Sequence, residues 1–147
     1  VRSADVMVQS ADKSFVELGR LMIENEVWIE GIAGTADLIA TGVIDHVWST
    51  KEYGLTSILY YDELYEQVIG DLDSEEILKQ FCRSELYTPE LKAAASDFIA
   101  ELMELDRKIV GSKLKAEADI LNMPEWRHFK KTSAVVAQEY RTSLGGE

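Results

Sequence analysis

Three short runs carry acid and imidazole side chains at the spacing that helical metal and acid–base sites use. Glu125-Trp126-Arg127-His128 sets a carboxylate and an imidazole three residues apart, and Glu63/Glu66 and Glu101/Glu104 do the same with two carboxylates. On a helix, each pair falls on one face. A di-metal centre in a bundle needs a second Glu-x-x-His and two further glutamates on facing helices. The other histidine, His46, has Val43 three positions before it. A magnesium site of the type found in all-α nucleotide pyrophosphohydrolases needs Glu-x-x-Asp after its Glu-x-x-Glu. No aspartate in this chain has a glutamate three residues ahead of it. Asp71-x-Asp73-x-Glu75 opens like a calcium loop. It then places Glu76 where glycine must make the turn and Cys82 where a bidentate glutamate must close the site. The residues therefore specify no metal and no cofactor.

Nucleophilic chemistry fares no better. Cys82 lies beside Phe81 on the apolar side of a short helical segment, with Lys79 and Arg83 near it. Activation would need a histidine brought to it by the fold, and a buried structural thiol is the plainer reading. There is no serine elbow, zinc signature, kinase motif set or phosphate-binding glycine loop. The inventory favours a non-enzymatic chain with no catalytic residues.

These side chains have to be placed by helices, because strand patterns are nearly absent. The best-marked element is a long helix over 89–121. Thr88 offers a side-chain cap, Pro89 suits the first helical position, and Glu90 puts negative charge at the positive end of the dipole. Ala95, Phe98, Leu102, Leu105 and Ile109 follow at helical spacing, with Gly111-Ser112 as the place for a kink. A C-terminal helix over 123–142 carries Trp126, Phe129, Ser133, Val136 and Tyr140. Asn122 is its expected cap and Glu125 the reciprocal partner.

Upstream, residues Ser3 to Ile32 read as a helix or a helix pair, with Ser10–Asp12 as an internal cap. Phe15, Leu18, Leu21, Met22, Ile23, Trp28, Ile29 and Ile32 form its stripe. Gly31-Ile32-Ala33-Gly34-Thr35-Ala36 is either a turn or a helix surface where another backbone approaches closely. Further helices are expected over Asp37–Trp48, over Leu55–Ile69 and after a capping start at Asp73-Ser74-Glu75-Glu76. The sum is an all-α bundle of four to six helices in a single domain, 1–147.

Charge narrows the partners. The chain of 147 residues has 27 acidic and 15 basic side chains, a net −12. Residues 1–50 hold three bases against eight acids, 51–100 four against eleven, and 101–147 eight against eight. An acidic first two-thirds argues against direct nucleic-acid binding, which needs a basic footprint. No apolar run reaches the roughly 18 residues of a membrane span, and Val1-Arg2-Ser3 leads into an amphipathic segment, not a signal peptide. One cysteine excludes an internal disulfide and points to a reducing, cytoplasmic setting.

Aromatic residues crowd the region 48–65. Tyr60 and Tyr61 diverge by about 100° on a helix, so one stripe cannot bury both. Trp48, Tyr53, Tyr60, Tyr61 and Tyr65, with Asp62, Glu63 and Glu66, form the expected interface. The leading expectation is a protein-interaction module: a subunit, adaptor, chaperone or assembly protein that meets a protein partner or its own copies. The alternative is a small-molecule- or metal-binding bundle using His46 and Glu125/His128. A third reading is an acidic decoy for a nucleic-acid-binding protein, acting through Asp62–Glu76.

Overall fold

The computed structural model describes residues 2–52, 54–70, 74–112 and 116–145. Every regular element among them is a helix: α1 (Arg2–Ala40), α2 (Val43–Thr50), α3 (Tyr61–Val68), α4 (Ser74–Arg83), α5 (Pro89–Ser112), α6 (Glu117–Leu121) and α7 (Pro124–Gly145). The all-α expectation is met, with seven helices in place of four to six.

Four helices form the body. α7 packs along both α1 and α5, and α4 touches the same two helices from the other side, so α1, α7, α5 and α4 close a ring. The shorter α2, α3 and α6 cover one end through contacts with α1, α5, α7 and each other. The interior is one cluster drawn from all seven helices, including Ile29, Ile39, Trp48, Leu64, Phe81, Phe98, Ile120, Trp126 and Phe129.

α1 departs furthest from expectation. It runs unbroken for 39 residues, about 58 Å at 1.5 Å per residue, through the expected cap at Ser10–Asp12 and through Gly31 and Gly34. Its buried residues are Asn25, Ile29, Ile32, Ala33, Thr35, Ala36 and Ile39, whereas Met22 and Ile23, expected on the core stripe, are exposed. Phe15, Leu18 and Leu21 are not among the described side chains. The helix stops at Thr41-Gly42. The Thr41 hydroxyl donates back to the Asp37 carbonyl at 2.7 Å, and Gly42 takes φ 87°, the left-handed conformation that ends helices. α2 then leaves at 63° to the last stretch of α1. The helix expected over Asp37–Trp48 is thus split at that corner.

Two other boundaries moved. The helix expected from Leu55 begins only at Tyr61, because 55–60 is spent turning back under Trp48, whose indole N–H donates to the Ile58 carbonyl at 3.2 Å. The long 89–121 element is two helices: α5 ends at Ser112, at the marked Gly111-Ser112 pair, and α6 follows from Glu117. At the other end Thr88 caps as expected, its Oγ1 accepting the Leu91 N–H at 3.1 Å.

Asn122 does not cap α7. Its side-chain amide donates to the Ala118 carbonyl at 3.1 Å, closing α6, and Glu125 accepts from Lys108 Nζ at 2.9 Å instead of folding back as a capping partner. α7 begins on the Met123 carbonyl, which accepts the Trp126 N–H at 3.1 Å. The expected start at Asp73 and the calcium-like Asp71 and Asp73 lie outside the described residues.

Candidate interaction surface

With one side of α1 in the core, the opposite side is open. Val16, Ile23 and Val27 are 70, 67 and 63% exposed. Arg20, Gly31 and Gly34 are exposed between and beyond them, and half-buried Leu38 ends the row. At 100° per residue these seven positions fall within an arc of about 80°. Singly exposed apolar side chains are ordinary on a protein surface, and in this row Arg20 stands between Val16 and Ile23.

The two glycines sharpen the point. A Cβ at Gly31 or Gly34 would meet no atom within 4 Å. Among the described residues nothing requires glycine there, although each costs about 1 kcal/mol relative to alanine inside a helix. They hollow the surface: a groove of about 500 Å³ runs over them, lined by Val27, Glu30, Thr35, Leu38 and, from α3, Gln67. Gln67 donates to Thr35 Oγ1 at 3.3 Å, fixing the groove wall.

Around the side of α1, a second cleft of about 510 Å³ opens against α4, with Met22, Asn25, Gln80, Arg83 and Leu86 in its lining. Asn25 Oδ1 and Gln80 Oε1 are buried there with no hydrogen-bond partner among the described residues. Below it, Glu26 receives two phenols, Tyr87 at 2.8 Å and Tyr140 at 3.5 Å. Burial first, then the Glu26 carboxylate, raises the ionisation of Tyr87. Tyr140 rises through burial and then the charges of Glu26 and Glu30.

The expected interface in 48–66 is divided. Trp48 and Tyr61 are core residues. Trp48 packs on Trp126 at 5.1 Å and edge-on to Tyr61 at 6.5 Å. The Tyr61 hydroxyl donates to Asp106 at 2.7 Å, and burial together with that carboxylate pushes its ionisation far up. Their polar atoms find partners inside the fold, so these two aromatics belong to the core. Tyr60, Asp62, Glu63 and Glu66 are exposed, and Tyr65 is half-buried. Tyr53 lies outside the described residues.

The chemistry-bearing pairs meet only in part. Glu101, Glu104, Glu125 and His128 line one cleft of about 300 Å³ between α5 and α7. His128 Nε2 sits 2.8 Å from Glu101 Oε1, Lys108 holds Glu125, and Glu101 Oε2 is buried with no partner among the described residues. The hydrogen bond from Lys108 lowers the Glu125 ionisation, and Lys108 rises in return. Among the described residues, no three His, Cys, Asp or Glu side chains converge as a metal-binding set. His46 is on α2, paired with Glu52. Cys82 Sγ is 3.6 Å from Ser96 Oγ at the α4–α5 seam.

The outward face of α1 was not singled out from sequence. Its signal was the eleven-residue recurrence of Val16, Val27 and Leu38, masked by the core stripe of the same helix. No single helix among the described residues is long and apolar enough to cross a membrane. Compared with known proteins, the chain matches no family model, no curated sequence and no solved structure.

Proposed function

We propose that this chain is a non-enzymatic helical interaction module that docks a protein through the outward face of α1. One observation carries the reading: Val16, Ile23 and Val27 stand exposed in one row on a helix whose other side is already in the core. Among the described residues core packing gives them no role, and a hollow over Gly31 and Gly34 continues the same row. The acidic balance agrees with a protein surface as the target in preference to a phosphate backbone.

Photocrosslinking in the cells that make the protein tests this. A benzophenone side chain at Val27 or Ile23 should give discrete protein adducts. The same group at Val135, exposed on α7, serves as the control. Equal yields at all three positions would refute a docking role for α1.

A second reading, a ligand-binding bundle, has its own observation in the α5–α7 cleft, where Glu101, Glu104, Glu125 and His128 stand together. It centres on Glu125 and His128, without His46. Calorimetric titration with divalent cations and small amines tests it, and absence of saturable heat would remove it.

A further inference from the structure

The cleft between α1 and α4 gathers polar atoms that the fold itself does not use. Asn25, 6% exposed, lines it from α1 and Gln80 from α4. The oxygen of each carboxamide is buried with no partner among the described residues. Trp28 lies three residues beyond Asn25, on the same side of α1. Its ring is 5.4 Å from that of Phe81, the neighbour of Gln80 on α4. Its indole N–H is likewise buried with no partner among the described residues. The other two tryptophans do donate, Trp48 to the Ile58 carbonyl and Trp126 to Asp45. One seam thus collects two acceptors and one donor. Buried polar groups nearly always carry a hydrogen bond. Folding has already stripped these three of water, so a group that pairs with them gains more than an ordinary exchange with solvent.

We propose that this cleft binds a primary carboxamide, carried by a free small molecule or by an asparagine or glutamine side chain of a partner. The amide NH2 supplies two donors, for Asn25 Oδ1 and Gln80 Oε1, and the carbonyl supplies an acceptor for Trp28 Nε1. A half-turn of the terminal torsion exchanges oxygen and nitrogen in Asn25 and Gln80. A ligand carboxamide pairs with either arrangement, because it holds donor and acceptor on adjacent atoms. An ammonium or guanidinium has no acceptor for the indole, and a carboxylate or phosphate has no N–H for the two oxygens. Arg83 and Glu85, both exposed, bring one charge of each sign to the lining, so the rim favours a neutral group over either ion. The space of about 510 Å³ suits a small ligand. Met22 and Leu86, 42 and 64% exposed, are the walls that shift to admit the group and then pack on its apolar part. The site does not use the row of Val16, Ile23 and Val27, and it goes beyond the docking reading.

The test is a titration of the full, isotope-labelled chain with benzamide, followed by proton–nitrogen NMR. The Trp28 indole resonance should move downfield and saturate, together with the side-chain amides of Asn25 and Gln80. The Trp48 and Trp126 indoles should stay in place as internal controls. N,N-Dimethylbenzamide and benzoate, which lack the N–H donors, should bind at least about tenfold more weakly. Gln80→Met and Asn25→Leu each replace an unpaired oxygen with carbon at similar size. Each should weaken benzamide about tenfold without lowering Tm. N-Acetylglutamine N-methylamide separates the two sources: tighter binding of this model than of benzamide points to a protein side chain, and the reverse to a free carboxamide. No saturable shift at Trp28, or equal binding of benzamide and its dimethyl analogue, would overturn the proposal. Benzamide affinity unchanged in both variants would do the same. A fall of Tm in both would show that the fold already uses these oxygens, and would also overturn it. Crosslinking from Val27 should persist in Gln80→Met, so the cleft and the docking face stand or fall separately.

Discussion

Asp45 on α2 accepts the indole N–H of Trp126 on α7 at 3.0 Å, and its second oxygen takes Lys130 Nζ at 2.8 Å. This carboxylate ties the end cap of the bundle to its central helix and satisfies the one polar atom of a fully buried tryptophan. Asp45→Ala should strand that N–H, at a cost of about 1–3 kcal/mol. For a domain of this size each kcal/mol lowers Tm by roughly 2–4 °C. Asp45→Asn keeps an acceptor for the indole and should lose less. Thermal unfolding followed by circular dichroism measures both, and an unchanged Tm for the alanine variant would contradict the role.

Two glycines should respond in opposite directions. Gly34 is helical and has open space around a Cβ, so Gly34→Ala should raise stability by about 0.5–1 kcal/mol in dilute protein. Gly42 holds φ 87° at the α1–α2 corner, and Gly42→Ala should cost about 1–2 kcal/mol. Urea midpoints with an unchanged slope would verify the pair. If both variants shifted the same way, the assignment of one corner and one open surface would be wrong.

Alkaline pH should unfold the protein through Tyr61 and Tyr87. Burial and the carboxylates of Asp106 and Glu26 hold both phenols protonated well above their ordinary range. Unfolded tyrosine ionises near about 10. The stabilisation is therefore complete below that value and is lost progressively above it. Absorbance at 295 nm from these two residues should appear together with loss of helical dichroism, and Tyr61→Phe should flatten the alkaline fall. Release of every tyrosine proton with helicity intact would refute it.

Acid acts through a different contact. Lys108 holds the Glu125 carboxyl below its ordinary range by a hydrogen bond. Its contribution is present above the ordinary glutamate value and disappears as pH falls through the lowered one. The pair is exposed, so the effect on stability is small and salt-sensitive. Carboxyl-carbon NMR reads the titration directly. Lys108→Gln should return Glu125 towards ordinary behaviour, and no change in that variant would exclude Lys108 as the cause.

Local signals were legible where the chain solves its problem within a few residues. Thr88-Pro89 marked the start of α5 because capping is a matter of three positions, whereas Gly111-Ser112, expected as a kink inside one helix, is where α5 ends. Asn122 misled for a related reason: its side chain can serve the helix before it or the one after it, and the carbonyl of Ala118 was the nearer acceptor. The continuity of α1 was left open at Gly31 and Gly34, where the sequence allows either a turn or a helix surface; burial of Ile29, Ile32 and Ala33 on the other face holds the helix. Trp48 and Tyr61 resembled an interface because only long-range folding supplies Ile58 and Asp106 for their polar atoms. Likewise Glu101/Glu104 and Glu125/His128 were visible as pairs, whereas their shared cleft depends on α5 lying against α7.

That α7 touches both α1 and α5 has a consequence for biosynthesis. The helix that completes the ring is translated after the two it joins. Ile29, Ile32 and Ile39 on α1, and Phe98, Leu102 and Leu105 on α5, leave the ribosome before residues 124–145 exist to cover them. Stable closure is therefore a late step that joins distant parts of the chain at once. Nascent chains stalled before Trp126 should remain protease-sensitive and chaperone-bound, and protection should arise abruptly once α7 has emerged.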